Sequence, residues 1–298
     1  MTSADSAPLR IAILTTPEGI FTAHYLVKNL AIAGILIDRG KIVSKEPKLT
    51  FMEKVEYHHL RGGPQEVLGA IGGKFLRGFL GKDSSDRANA LENAYWQEID
   101  RIFLGHPFFQ RKLEQRDFVR WDELASYYRI PTIYVDNIND ETSAQTLREW
   151  KADLAIMAGG RLLKPHIIVI PRLGILNKHS SILPKHRGVA AEYWCLYHED
   201  FDSLGVTVHF VEKGLDSGPI LCQKKILFEK GDTPRSLRFK SNVVGREAIV
   251  EAVQMIATTG ATGTPQDETA ATRNKQPTLA SDRELYAKLP RLWEKYGA

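Results

Sequence analysis

The chain has 298 residues, 43% of them apolar and 26% charged, which is the balance of an ordinary globular protein. Its formal net charge of +4 suits an anionic small molecule, and it is too weak to indicate nucleic-acid binding unless the charge lies on one face. Two cysteines outside any CxxC pair exclude a disulfide framework, and no leader or membrane-spanning run stands out, so we expect a cytoplasmic protein without membrane partners.

Residues 9–38 predict a β-α-β unit. Residues 9–15 form an apolar strand, apolar residues between 21 and 33 have helical spacing, and residues 34–38 form a second strand. This order implies parallel strands joined by a right-handed crossover. The turn after the first strand holds one glycine, Gly19, so it lacks the GxGxxG pattern typical of dinucleotide binding.

Residues 41–122 interrupt this order with a mixture of charges, aromatic residues and glycines. Residues 89–103 have a helical pattern, and the glycine-rich basic stretch 69–82 indicates a buried helical hairpin or a surface flap. We expect an insert that covers a ligand site or forms a dimer surface, so a homodimer is an open alternative.

Regular α/β order returns at residue 121. The helical patterns lie at 121–128, 137–150, 188–197 and 237–258, between strand patterns at 131–135, 153–158, 174–177, 205–212 and 220–227. Asp140 and Ser143 are candidate caps of the second of these helices. The sequence therefore predicts a Rossmann-like α/β domain over residues 1–260, with a mostly parallel twisted sheet and helices on both faces. Residues 261–298 are expected to be a polar tail.

Three polar residues lie where this fold is expected to place a ligand. Asn177 ends a predicted strand and His179 follows it, and the carboxyl ends of parallel strands face the ligand crevice. Asp216 lies in a turn between two strands and can return to the same rim. An amide, an imidazole and a carboxylate suit acyl transfer to an amine, because the amide stabilises an oxyanion and the other two carry a proton. On residue types alone, a structural histidine and a turn-forming aspartate are the commoner interpretation.

The motif around these residues resembles a known family. Residues 177–184 read Asn-Lys-His-Ser-Ser-Ile-Leu-Pro, and Arg-Gly follows at 187–188. Gly-Val-Thr-Val-His follows at 205–209, and Asp-Ser-Gly-Pro-Ile at 216–220. These blocks, in this order, resemble the signature of the 10-formyltetrahydrofolate-dependent formyltransferases, with two mild departures at Ser180 and Ile182.

The resemblance implies a Rossmann-like formyltransferase fold and a catalytic set of Asn177, His179 and Asp216. An amine would attack the formyl carbon of 10-formyltetrahydrofolate directly, and no metal is implied. Asn177 and His179 would stabilise the oxyanion, and Asp216 would keep the histidine suitably protonated and assist proton removal. The folate is expected to bind along main chain at Met157, Ala158, Gly159, Gly160, Arg161, Leu162, Leu163, Val211, Gly214 and Leu215. The substrate is expected to contact Ser181, Arg187 and Gly188.

The acceptor stays open at this stage. The Pro-Arg-Leu-Gly sequence at 171–174 is shared with methionyl-tRNA formyltransferases, whose C-terminal barrel binds tRNA. Residues 266–274 resemble the linker after the catalytic domain of tRNA and amino-sugar formyltransferases, and the chain after Gly260 is too short for that barrel. We therefore expect a small-molecule amine acceptor, with an amino-sugar nucleotide or another small phosphorylated amine as the leading candidate. Lys185, Arg187 and Arg161 are candidate phosphate contacts. The alternatives are a methionyl-tRNA formyltransferase-like activity, a formyltetrahydrofolate hydrolase and a non-catalytic folate-binding module.

Overall fold

The structure is a computed structural model, and it describes residues 8–40, residues 50–61 apart from 51, 55 and 58, and residues 120–297. The predicted insert falls almost entirely outside these residues. The interpretations of 69–82 and 89–103, and of the insert as a cover or a dimer surface, therefore lie outside the described residues.

A seven-stranded sheet forms the centre of the described chain. Its strands lie in the order β3-β2-β1-β4-β5-β7-β8. The first five are parallel, while β7 pairs antiparallel with both β5 and β8, so the expectation of a mostly parallel sheet is confirmed. The strands are β1 (Ile11–Thr15), β2 (Ile32–Asp38), β3 (Thr132–Val135), β4 (Leu154–Ala158), β5 (Ile175–His179), β7 (Gly205–Phe210) and β8 (Ile220–Lys225). Two short strands, β6 (Arg187–Gly188) and β9 (Arg273–Asn274), form a separate parallel pair.

The helices connect these strands in the order expected for an α/β fold. They are α1 (Ile20–Asn29), α2 (Trp121–Tyr128), α3 (Glu141–Glu149), α4 (Pro165–Ile168), α5 (Ala191–Tyr197), α6 (Pro234–Thr259) and α7 (Leu279–Tyr296). The long helix α6 begins three residues before its apolar pattern because Thr233 and Ser236 form a capping box ahead of a proline in the first turn. It ends at Gly260, whose φ of 66° terminates the helix.

The helix expected over residues 188–197 begins later, at Ala191. Gly188 and Ala190 have φ angles of 95° and 53°, which no α-helix accommodates. Residue 188 instead belongs to β6, which pairs with a strand some 85 residues further along the chain. Local helical spacing could not reveal this long-range pairing, and the prediction of a helix was wrong for residues 188–190.

Apolar residues alternate between the two faces of the sheet, and each face has its own core. Ile13, Ile35 and Ile156 pack into the larger core with α1, α6 and α7. Their strand neighbours, including Leu14 and Leu36, point to the opposite core with α3 and α4. Helices on both faces are therefore confirmed, and the alternation explains why the central strands read as continuous apolar runs.

The connections change direction next to β1. Strands β2 and β3 lie on one side of it, and β4 and β5 lie on the other. In such sheets ligands bind outside the carboxyl ends of the strands at this point, because the loops on the two sides lead away from each other. The hydroxyl of Thr15 donates to the carbonyl of Ala158 at 3.0 Å and joins the two loops there.

The residues after Gly260 pack on the larger core through α7. Leu285, Leu289 and Leu292 are each at most 2% exposed. Arg61, in the described helical residues between 52 and 61, donates to the fully buried Asp282 of α7 at 2.9 Å. The domain boundary at residue 260 stays a prediction. Within the described ranges, every helix is too short or too polar to cross a lipid bilayer.

Candidate active site

A cavity of about 880 Å³ opens at the switch point of the sheet. Its walls come from the loops after β1 and β4, the end of β5, the segment after β7 and one face of α6. A volume of this size is typical of clefts that hold drug-sized ligands. Asn177, His179 and Asp216 all line it, so the structure brings the three predicted catalytic residues together. Their chemical roles stay predictions.

Asn177 is held by its neighbour across the sheet. It lies opposite His209 in the antiparallel ladder of β5 and β7, which brings the two side chains together. The amide of Asn177 donates from Nδ2 to Nε2 of His209 at 3.2 Å and to Oδ1 of Asp216 at 3.4 Å. The second contact is long for a hydrogen bond. A developing oxyanion in the cavity can therefore replace it without breaking the first.

His179 ends β5 and is almost completely buried, with 6% exposure. Its Nε2 lies 2.8 Å from the carbonyl oxygen of His186, and since a carbonyl only accepts, Nε2 carries the proton. Nδ1 then faces Oδ2 of Asp216 at 3.4 Å. Burial lowers the pKa of His179 below its ordinary value, although the charge of Asp216 opposes the shift. The imidazole is therefore neutral at pH 7, with the lone pair of Nδ1 facing the carboxylate.

Asp216 lies in the turn between β7 and β8, with a left-handed φ of 47°. Burial acts to raise the pKa of its carboxyl. Its attraction for a proton on His209 or His179 and the hydrogen bond from the amide of Gly188 outweigh burial and hold that pKa below its usual range. Gly188 donates its main-chain N–H to Oδ2 at 2.8 Å. Asp216 is therefore a carboxylate at neutral pH, ready to stabilise a cation that forms on His179.

The expected folate positions lie along two edges of the cavity. Lining residues include Met157, Ala158, Gly159, Gly160, Leu162 and Leu163 on one edge and Val211, Gly214 and Leu215 on the other. Gly159 and Gly160 have φ angles of 88° and 132°, and a Cβ at Gly159 would meet no atom within 4 Å. Bare main chain thus borders open space between apolar side chains, which fits a flat heteroaromatic ring with hydrogen-bonding edges.

Arg161 departs from that set. Its guanidinium binds both carboxylate oxygens of Asp38, with Nε to Oδ2 at 2.6 Å and Nη2 to Oδ1 at 3.0 Å. Asp38 is 3% exposed, and the pair lines a small separate pocket rather than the cavity. The pair turns the Arg161 guanidinium toward Asp38 and away from the cavity, which corrects the expected phosphate contact, while a main-chain contact with folate stays a prediction.

The expected substrate contacts divide in the same way. Gly188 lines the cavity. Ser181 is fully buried and its hydroxyl donates to the carbonyl of Lys185. Arg187 is also fully buried and binds Glu268 and Gln266, while Lys185 pairs with Asp200 on the surface. Ser181 and Arg187 therefore stabilise the loop that follows β5 on its side away from the cavity. The expectation that they contact substrate is corrected.

Among the cavity-lining residues that sequence reasoning missed is a polar group on α6 and β5. Arg238, Asn242 and Arg246 are spaced by four on one face of α6. That spacing was visible in the sequence as a polar stripe on an amphipathic helix. Lys178 lies opposite them, with Nζ donating to Asn242 Oδ1 at 2.9 Å and to Ser180 Oγ at 3.1 Å. Burial lowers the pKa of Lys178 to about 8.

Part of the chain that contains this cavity is similar to known proteins. Residues 126–253 match the family described as formyl transferase. Methionyl-tRNA formyltransferase from Chlorobium chlorochromatii is 30% identical over 161 residues, which cover 54% of this chain and 51% of that protein. The corresponding protein from Kosmotoga olearia is 33% identical over 151 residues, covering 50% and 48%. The chain spans about half the length of the curated relatives it matches.

Solved structures show the same fold. Glycinamide ribonucleotide transformylase 1 from Symbiobacterium toebii superimposes with a TM-score of 0.52 at 19% identity, covering 86% of this chain and 91% of that one. Phosphoribosylglycinamide formyltransferase from Bacillus halodurans gives a TM-score of 0.50 at 18% identity, covering 85% and 97%. The fold and the matched segment define the class, which is a Rossmann-like α/β fold with a formyl transferase match over residues 126–253. Within that fold, residues 126–253 are similar to the formyl transferase family, and the motifs at 177–188, 205–209 and 216–220 lie in this matched segment.

Proposed function

We propose that this protein transfers the formyl group of 10-formyltetrahydrofolate to the primary amine of a small phosphorylated acceptor, such as an amino-sugar nucleotide. The observation that carries the proposal is the convergence of Asn177, His179 and Asp216 on one wall of the cavity. The folate supplies the activated formyl carbon when it is bound. The chain supplies an amide donor, a neutral imidazole and a carboxylate in contact with each other.

The geometry of His179 suggests where the proton goes. The acceptor nitrogen forms its bond to the formyl carbon as the carbonyl electron pair moves onto oxygen, and Asn177 donates to that oxygen. Nδ1 of His179 takes the proton released by the amine, directly or through a water, since Nε2 is already protonated. The resulting imidazolium lies against the Asp216 carboxylate. Cleavage of the bond to the folate nitrogen returns an electron pair to that nitrogen, and the same proton completes it.

The charges on the opposite wall support an anionic acceptor. Arg238 and Arg246 on α6 and Lys178 on β5 bring three basic groups to the cavity. Arg238 pairs with the buried Glu192 at 2.7 Å, which fixes its direction. A phosphate or diphosphate linked to the amine is the chemistry that such a set of Lys and Arg side chains recognises.

A second candidate is formyl transfer to methionyl-tRNA, and the relatives that the chain matches over half their length favour it. Hydrolysis of the formyl-folate requires the same three side chains with water in place of the amine. The acceptor therefore decides between these reactions, and the chemical step at the catalytic residues is common to them.

An acceptor screen tests the proposal. Purified protein is mixed with 10-formyltetrahydrofolate and, separately, with amino-sugar nucleotides, glycinamide ribonucleotide and methionyl-tRNA, and both tetrahydrofolate release and formylated product are measured. Formylation of a small phosphorylated amine supports the proposal. Formylation of methionyl-tRNA alone, or tetrahydrofolate release without any acceptor, replaces it with the tRNA or hydrolase activity. No turnover under any condition refutes formyl transfer.

A further inference from the structure

Residues 264–274, here termed the C-terminal strap, run alongside the predicted catalytic loop. Thr264 exchanges two main-chain hydrogen bonds of 2.8 Å with Ile220, just after the Asp216 turn. Arg273 and Asn274 then form β9, which pairs with β6 next to the same turn. A chain segment that resembles an interdomain linker in sequence is therefore attached to both sides of the active site.

Gln266 makes the most direct of these attachments. Its Nε2 donates to the main-chain carbonyl of Asp216 at 2.9 Å and to that of Gly218 at 2.7 Å. Its Oε1 accepts from Nη2 of Arg187 at 2.7 Å. One side chain thus binds the turn that carries the carboxylate and a buried arginine on the opposite corner.

These contacts close a ring around Asp216. Gly188, the residue after Arg187, donates its N–H to the Asp216 carboxylate at 2.8 Å, so the ring runs from the Asp216 side chain through the chain at 187–188 and through Gln266 to the Asp216 main chain. A Cβ at Gly188 would lie 2.7 Å from the carbonyl oxygen of Asn274, which leaves no room for a larger residue at this corner.

The ring explains how Asp216 keeps an unfavourable backbone conformation. A φ of 47° is uncommon for a residue with a side chain, and it persists where the surroundings determine it. The Gln266 amide fixes the two carbonyls on either side of Ser217, and the Gly188 amide fixes the carboxylate. Together these bonds hold the carboxylate at 3.4 Å from His179 Nδ1.

We propose that Gln266 is a positioning residue for formyl transfer, which holds Asp216 in register with His179 and Asn177 by linking the Asp216 turn to Arg187. This inference rests on the proposed function and adds a residue of the C-terminal strap to its machinery. It also assigns to the strap a part in the chemistry, beyond joining one segment to the next.

Two substitutions separate positioning from general support. Gln266→Met keeps the volume and removes every hydrogen bond. Gln266→Glu keeps an acceptor for Arg187 but turns a carboxylate oxygen toward the carbonyls of Asp216 and Gly218, so only the link to the turn is lost. Arg187 stays paired with Glu268 in both variants, with Nη1 and Nη2 at 2.8 and 2.7 Å, so the buried cation keeps a partner and the chain is expected to fold. Gln145→Ala, on the exposed face of α3, is the matched control.

The experiment compares kcat and KM across pH in the acceptor assay, together with thermal unfolding. Both Gln266 variants should lose about 10- to 100-fold in kcat, since displacement of a catalytic group by about 1 Å costs up to about 100-fold. KM for the folate should change less than kcat. The acid limb of the kcat profile, which His179 sets, should move to lower pH, because a displaced carboxylate no longer raises the pKa of that imidazole. The control should match the unsubstituted protein.

Unchanged kcat and pH profile in both variants would overturn the inference, as would a loss of kcat that matches a loss of folded protein. An inactive unsubstituted protein would count against the proposed function instead. In that case the position of Asp216 is followed by NMR titration of ¹⁵N-labelled histidine. A shift in the His179 titration in both Gln266 variants supports the positioning role, and an unchanged titration overturns it.

Discussion

Substitution of Asp216 by Asn tests the central carboxylate with little change of shape. The amide oxygen of Asn can still accept from the Gly188 N–H, which lies 2.8 Å from the carboxylate, so the turn should keep its conformation. The negative charge is lost from the position that faces Nδ1 of His179, the atom proposed to take the proton, and the new amide group turns its N–H toward Asn177 and His209. Both effects act on the reaction and leave the folate surface of the cavity unchanged.

The size of the effect follows from the contact with His179. Opposite charges 3.4 Å apart attract by about 5 kcal/mol at an effective dielectric constant of about 20. That energy corresponds to about 3.6 decades in rate, close to the upper end of the roughly 100- to 10,000-fold range of acid–base catalysis. We therefore expect kcat to fall about 1,000-fold.

Steady-state kinetics with the acceptor found in the screen give kcat and the folate KM, and thermal unfolding confirms that the variant is folded. Asp122→Asn is the matched control, since that carboxylate is 64% exposed and pairs with a surface arginine. A folded Asp216→Asn protein with kcat within about tenfold of the unsubstituted value would refute the role given to the carboxylate.

Further changes should act through separate physical causes. Asn177→Ala should lower kcat about 100- to 1,000-fold through loss of an oxyanion donor, and a change of KM alone would contradict this. The lowered pKa of His179 should place the acid limb of kcat below about pH 6.5, and the free energy of unfolding should also fall as pH drops below that value, because the unfolded chain binds the proton first; a limb above pH 7 would exclude His179 as its source. Arg187→Met should lower the free energy of unfolding by about 1–3 kcal/mol in urea titrations, since the charged hydrogen bonds of this buried side chain to Gln266 and Glu268 are lost. Gly34→Ala should cost about 1–3 kcal/mol, because its Cβ would lie 2.5 Å from the Trp150 ring, and an unchanged urea midpoint would show that the ring moves freely.

The sequence was sufficient for the parts of the site that depend on local order. Asn177 and His179 share one strand end, and Asp216 lies in a tight connection between two strands, so the predicted sheet allowed them to converge. The resemblance to the formyltransferases then favoured a catalytic interpretation over a structural one. Arg187 is different, because its partners lie about 80 residues away in a segment with no strong pattern of its own. An arginine in a polar Arg-Gly turn indicated a phosphate contact from its residue type alone. Its long-range pairing instead makes Arg187 a buried residue that stabilises the loop.

His209 shows a second limit. It belonged to the recognised motif, but its contact with Asn177 depends on the antiparallel register of β5 and β7. Periodicity identified both strands without giving their relative direction, so no pairing could be read from it. The cavity face of α6 was missed because polar residues spaced by four on a long helix are typical of a solvated face.

The two histidines around Asp216 hydrogen-bond to a carbonyl through different ring nitrogens, and this difference suggests different roles for them. Each has one nitrogen held by a carbonyl, Nδ1 of His209 by Phe210 and Nε2 of His179 by His186, both at 2.8 Å. The free nitrogen of His209 accepts from Asn177, so a proton placed there would repel the amide that serves the oxyanion. The free nitrogen of His179 lies 3.4 Å from Asp216, longer than the roughly 2.7–2.9 Å of an ionised hydrogen bond. A proton that arrives at Nδ1 of His179 strengthens its contact with Asp216. A proton on His209 would also face Asp216, at 3.6 Å, but it would break the hydrogen bond from Asn177. We therefore propose that the transferred proton is held at His179 and that His209 orients the amide.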